Sequence, residues 1–222
     1  MRIEINDIQK KYGSKQVLKG LSFTAESGQC IGLLGGNGSG KSTLLSILAG
    51  IQPADGGAFS CDGVDLFRNA KERSRLVGYV PQGTPLIEEL TAYDNLRLWY
   101  PKETLKKELA NGFLAMLGVS DFLKTTVSKL SGGMKKRLSI GCAMAGNPAV
   151  LLLDEPMAAL DLGCKQKISE YIRQYKASGG IVLIATHDLL ELALCDRWYI
   201  MKDGKLVPFD YTGDVDALVK NL

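Results

Sequence analysis

The sequence predicts an α/β fold with a mostly parallel core sheet, an N-terminal antiparallel β part and an inserted helical subdomain. Three observations predict it. The runs 149–153 and 181–185 are wholly apolar, the pattern of strands covered on both faces in a parallel sheet. Strand and helix signals alternate along the chain, as parallel strands joined by crossover helices require. From about Thr84 to Gly146 the strand signal gives way to helix.

The opening segment, 2–25, reads as strands. Ile3, Ile5 and Ile8 alternate loosely, Tyr12-Gly13-Ser14-Lys15 is a turn, and Val17-Leu18 with Leu21-Ser22-Phe23 resumes the strand. A short apolar strand at 29–34 runs directly into a glycine-rich loop. A helix follows from about Lys41 to Ala49, stopped by Gly50. Segments 59–61 and 75–80 read as further short strands. Leu105, Leu109, Phe113 and Met116 form a helical stripe. Ile168, Tyr171, Ile172 and Tyr175 mark an amphipathic helix, 188–195 a further helix, and 198–201 with Leu206-Val207 a hairpin around Asp203-Gly204. These assignments divide a single domain, 1–222, into a core at about 1–84 and 147–222 and a helical subdomain at about 85–146.

Composition excludes several classes of function. At 45% hydrophobic and 23% charged the chain is neither disordered nor a small disulfide-stapled scaffold. Its longest apolar runs are five residues, whereas a membrane span needs ~20, and no apolar signal-peptide core follows Met1. Net charge is +3, from 27 basic and 24 acidic residues, too mild for an expected nucleic-acid partner. The basic clusters Lys10-Lys11, Lys106-Lys107 and Lys135-Lys136-Arg137 read as solvated helix faces. Five cysteines without a Cys-x-x-Cys pair, and one histidine, argue against zinc and for reduced thiols in the cytosol.

Gly35-Gly36-Asn37-Gly38-Ser39-Gly40-Lys41-Ser42 fits the phosphate-loop pattern, with a strand before it and a helix after. Its glycines let backbone N–H groups turn inward on phosphate oxygens. The helix start adds the positive end of its dipole. Lys41 brings a full charge to the β- and γ-phosphates, and the Ser42 hydroxyl is a hard ligand for magnesium. These residues make the chain a P-loop NTPase, without separating a kinase, a GTPase and a motor.

The strand at 150–153 ends in Asp154-Glu155. Ligands of open α/β sheets sit at the C-terminal strand ends. With this strand expected next to the strand that carries the phosphate loop, both acids arrive at the phosphates. Asp154 can hold the magnesium shell, and Glu155 can polarise the attacking water. Leu130-Ser131-Gly132-Gly133-Met134 opens a helix. Ser131 is a good N-cap, so this is either an ordinary capped helix or a second anion-binding helix start.

In this order the motifs resemble the ATP-binding cassette (ABC) ATPase domain, the motor subunit of ABC transporters, from Tyr12 to about Val207. The resemblance implies ATP and Mg2+ as ligands. It implies that Tyr12 stacks on adenine, that 35–42 is the Walker A loop with Thr43 beside it in the nucleotide-binding set, and that 130–134 is the signature motif. Gln82, after Gly78-Tyr79-Val80-Pro81, would touch magnesium and the attacking water. Asp154 would be the Walker B acid, Glu155 the catalytic glutamate, 159–161 the D-loop, and His187 the switch that senses the γ-phosphate. Two departures stand out. Met134 replaces the commoner glutamine, in a form similar to exporter-type cassettes. The D-loop lacks the usual Thr or Ser after Pro156 and has Leu162 where proline is common.

The resemblance further implies a head-to-tail dimer in which Ser131, Gly132 and Gly133 close over ATP held by a second cassette. It also implies docking of a cytoplasmic helix of a membrane subunit around 83–129, and a place at the cytoplasmic face of the membrane. Solute transport, with export favoured, is the function it implies. The alternatives are a non-transport cassette acting on DNA or ribosomes, and a non-hydrolysing regulatory module. The first lacks the expected coiled-coil arms or basic linkers in 222 residues, and Glu155 with His187 argues against the second.

Overall fold

The structure, a computed structural model, describes residues 1–158, 160–213 and 220. Strands β1 (Arg2–Tyr12) and β2 (Lys15–Glu26) form a hairpin. Its register shifts between Ile5 and Ile8, where Asp7 takes a positive φ of 52°; hence the loose alternation of the three isoleucines, all of which are buried. Then come β3 (Cys30–Leu34), α1 (Lys41–Ala49), β4 (Gly56–Cys61) and β5 (Val64–Asp65). β1 pairs with β4, completing an antiparallel sheet of order β2-β1-β4-β5.

The next elements correct the strand expected at 75–80. Helix α2 (Ala70–Leu76) takes Arg75 and Leu76, and only β6 (Val77–Val80) is strand. Asn69 caps α2 by accepting from Glu72 N at 3.1 Å, and Glu72 pairs with Arg75. These local bonds are invisible to an apolar-pattern reading. Helices α3 (Ala92–Arg97), α4 (Lys102–Asn111), α5 (Phe113–Met116) and α6 (Gly132–Ala143) follow, with 3-10 turns at Val119–Phe122 and Val127–Lys129. The stripe from Leu105 to Met116 is broken. Gly112 is extended, and the Glu108 carboxylate accepts from Phe113 N at 3.1 Å, starting a new helix.

The chain ends its described part with β7 (Val150–Asp154), α7 (Leu162–Ala177), β8 (Ile181–Ala185), α8 (Leu189–Leu192), β9 (Arg197–Lys202) and β10 (Lys205–Phe209). α8 is one turn, shorter than the helix expected at 188–195. Asp188 caps it by accepting from Leu190 N at 2.8 Å.

The second sheet has the order β10-β9-β3-β8-β7-β6 and is parallel except for β10. Every residue of β3, β7 and β8 is buried, because both faces are covered. Val150, Leu152, Ile181 and Leu183 pack toward α1 and the antiparallel sheet. Leu151, Leu153, Val182 and Ile184 pack toward α6, α7 and the helices before them.

The acid-bearing strand is not adjacent to the phosphate-loop strand; β8 lies between them. Register nevertheless brings the strand ends level. Leu33 of β3 and Asp154 of β7 are both paired with Ala185 of β8, Glu155 N donates to Ala185 O at 2.9 Å, and Thr186 N to Leu33 O at 3.0 Å. Val80 of β6 pairs with Leu153. Four strands thus release their loops at one level of the sheet.

Candidate active site

Those four loops hold the chemistry singled out above: 35–40 after β3, Gln82 after β6, Asp154 and Glu155 at β7, and His187 after β8. A cleft of about 420 Å³ is lined by Val17, Gln82, Glu155 and loop and helix residues from Asn37 to Thr43. Gly40 precedes α1 with φ 107° and ψ 6°, and a Cβ there would come 2.8 Å from Leu18 Cδ2. An L side chain fits neither the torsion nor the space, and no side chain caps the helix. The first-turn N–H groups, which have no intrahelical acceptors, are therefore free for an oxyanion.

Lys41 is buried, and its ammonium donates to Gly35 O at 2.6 Å and Gly36 O at 3.1 Å. Burial lowers its pKa, opposed by the charges of Glu155 and Asp154. Ser39 Oγ is buried with no partner among the described residues. An orphaned hydroxyl, uncapped N–H groups and an ammonium resting on its own loop's carbonyls are the donors that an oxyanion such as phosphate would satisfy.

Asp154 is 3% exposed. Burial raises its pKa, countered by the Ser42 hydroxyl and the cations Lys41 and Lys136. A hydroxyl and a buried carboxylate together offer the hard oxygen donors a magnesium ion takes. Glu155 has a positive φ of 46°, a rare torsion that points to a constrained position. Its Oε2 accepts from Gln82 Nε2 at 2.8 Å, and its Oε1 lies 3.2 Å from His187 Nδ1.

The remaining candidates stand apart from the cleft. Tyr12 is half exposed at the end of β1, its hydroxyl bonded to Gln52 and Lys10 Nζ 5.6 Å from its ring. Ser131 caps α6, accepting from Met134 N at 3.2 Å. Neither it, Gly132 nor Gly133 lines the cleft of its own chain; Ser131 and Gly132 are exposed. Of the D-loop residues, Ala159 lies outside the described residues; Asp161 caps α7, accepting from Cys164 N at 2.8 Å.

Two clusters read as solvated helix faces are not. Lys10 lies on a strand, 8% exposed, and donates to Pro53 O and Asp55. Lys136, 5% exposed, donates to Pro81 O and Gln82 O. Lys136 shares a helix face with the buried Ser139 and Ile140, a spacing of three and four that could have flagged it. Glu191 also went unread. It is 1% exposed, Oε1 accepts from Met157 N at 2.6 Å, and burial raises its pKa to about 7.

Comparison with known proteins gives one answer. The family model described as ABC transporter matches residues 18–158. The chain is 34% identical over 210 residues to the linearmycin resistance ATP-binding protein LnrL of Bacillus subtilis, covering 92% of this chain and 68% of that one. It is 36% identical over 212 residues to the Nod factor export ATP-binding protein I of Burkholderia orbicola, covering 92% and 69%. A nucleotide-free ATP-binding cassette from an ABC transporter superposes with a TM-score of 0.85 at 27% identity, over 99% of this chain and 96% of that one. A dimeric cassette in a post-hydrolysis state bound to ADP and Pi gives 0.81 at 28%, over 92% and 96%.

Proposed function

This chain belongs to the ABC transporter family as an ATP-hydrolysing motor subunit, and we propose which of its residues run that motor and what it is joined to. One observation carries the assignment: Glu155, at the rim of the phosphate cleft, has Gln82 on one carboxylate oxygen and His187 beside the other. That is a carboxylate oriented to take a proton from water.

In this reading the first-turn N–H groups of α1 and the 35–40 loop bind the phosphates of ATP. The Lys41 ammonium exchanges its loop carbonyls for the β- and γ-phosphates. Ser42, Asp154 and Gln82 would hold Mg2+, which when bound would supply positive charge to the phosphate oxygens. Glu155 orients and polarises the attacking water, Gln82 fixes that carboxylate, and His187 stands by the γ-phosphate. Tyr12 supplies an exposed ring for adenine.

Ser131, Gly132 and Gly133 serve the ATP of a second cassette, packed head to tail. The exposure of Ser131 and Gly132 away from their own chain's cleft supports this, and so does the dimeric form of the cassette bound to ADP and Pi. No helix among the described residues is long and apolar enough to cross a membrane; we assign translocation to a membrane subunit, with this chain on its cytoplasmic face, as the transporter family's names suggest. Its dock is the groove of about 500 Å³ bordered by Ile51, Tyr79, Leu86, Trp99 and Cys142, beside the helical segment 85–146. Relatives named for Nod factor export and linearmycin resistance favour export over import.

The test is phosphate release from Mg–ATP by the purified full chain and its Glu155→Gln variant. Turnover abolished with ATP binding retained supports the assignment. Equal turnover in the two removes Glu155 from its role.

A further inference from the structure

The Lys136 side chain crosses from α6 to the segment that carries Gln82. Its ammonium donates to Pro81 O at 3.0 Å and to Gln82 O at 2.9 Å, tying the backbone at Gln82 to the helix. The Gln82 amide in turn donates to Glu155 Oε2 at 2.8 Å. An unbroken chain of contacts thus runs from α6 through Lys136 and Gln82 to the carboxylate beside the phosphate cleft.

A lysine only 5% exposed is costly unless its charge is answered. Here Asp154, Glu191 and Glu155 all act on it, so the ammonium sits in a field made by the site's own carboxylates. The neighbouring Lys135 shows the contrast. It makes a rim pair with the exposed Glu88 at 2.7 Å, of the sort that contributes little.

We propose that Lys136 is a positioning residue for hydrolysis, the pin through which α6 sets the Gln82 loop against Glu155. The inference rests on the ATPase reading above. Ser131 begins the same helix, four residues past which the first full turn reaches Lys135. A shift of α6 on meeting a partner's nucleotide therefore moves the Gln82 carbonyl, and with it the hold on Glu155.

The measurement is a double-mutant cycle in the full chain, scored by turnover of Mg–ATP and by the Kd of a fluorescent ATP analogue. Lys136→Met keeps the stem and removes the donors, and Lys136→Arg keeps charge and donors. We expect Lys136→Met to lower kcat about 10- to 100-fold with Kd changed less than about twofold, the mark of lost positioning. Lys136→Arg should recover most of the rate. Added to Gln82→Ala, Lys136→Met should cost nothing further, because both act through one contact. Should the Met variant not fold, Lys136→Leu, which also lacks donors, is judged by the same criteria.

Turnover unchanged in Lys136→Met, or losses that multiply with Gln82→Ala, overturns the pin while the ATPase reading stands. A parent chain that neither binds the analogue nor releases phosphate overturns the reading beneath it.

Discussion

Gln82 Nε2 donates to Glu155 Oε2 at 2.8 Å across 73 positions of sequence. The contact exists because β6 and β7 are neighbours in parallel register, Val80 opposite Leu153. Each strand therefore delivers its first loop residues to the same level. A carboxylate held by an amide donor keeps its direction without losing its charge. For that reason Glu155→Gln is expected to bind ATP, to lose about 10²–10⁴ in turnover, as removal of a general base does, and to accumulate as a nucleotide-bound dimer. Light scattering with and without Mg–ATP, beside a phosphate-release assay, checks all three.

Lys41→Ala should lose nucleotide binding as well as turnover. The ammonium is the one full positive charge that lines the phosphate cleft among the described residues, and charge-assisted bonds of this sort are the strong ones. Titration calorimetry with ATP decides the matter: affinity equal to the parent's would mean that the 35–42 loop holds something other than the triphosphate.

The proposed head-to-tail dimer predicts complementation. Ser131→Arg should be inactive because a long cation crowds the helix start offered to the partner's ATP. Lys41→Ala should be inactive in its own cleft. Mixed, the two should regain turnover, because a head-to-tail heterodimer contains one site with both an intact Lys41 and an intact Ser131. A mixture no more active than its components would place both residues in the same chain's site.

Glu191 makes stability depend on pH. Its folded pKa is about 7 against an ordinary 4.5, raised by burial and by the charges of Asp188 and Glu155, with Thr186 and Met157 N opposing. Between those values the native state holds a proton that the unfolded chain has released, so stability falls as pH rises through that window. The full loss, about 3 kcal/mol at most, is reached above pH ~7. Glu191→Gln keeps an acceptor for Met157 N and has no proton to lose. Urea unfolding should find it more stable than the parent at pH 8 and no more stable at pH 5; parallel pH profiles would contradict this.

Trp99 is 64% exposed on the groove beside the helical segment. Trp99→Glu should leave the ATPase activity of the isolated chain intact and abolish co-purification with the membrane subunit proposed to dock there, because a charge introduced into a docking surface is disfavoured. Loss of activity in the isolated chain instead would make Trp99 part of the fold.

The glycine-rich loop between strand and helix, the acid pair at a strand end and the parallel core were legible because each is local. Glycine spacing fixes a loop, and five apolar residues in a row mark a strand covered on both faces. α2 was missed because its stability comes from an Asn69 cap and a Glu72–Arg75 pair. The 105–116 stripe broke because one side chain, Glu108, took over the bond at Phe113 N.

By itself the sequence determined the family motifs and the parallel core: a glycine-rich loop ahead of a helix, a lysine and a hydroxyl at its start, and two acids after an apolar strand. Tertiary structure decided which of them meet. The insertion of β8 between β3 and β7, the joint register at Ala185, and the burial of Lys136 and Glu191 depend on contacts between residues tens of positions apart. Such contacts are set by sheet order and packing of both faces. The spacing of Lys136 with Ser139 and Ile140 marks a shared helix face, but only packing decides that this face is buried, with the ammonium on the Gln82 carbonyl.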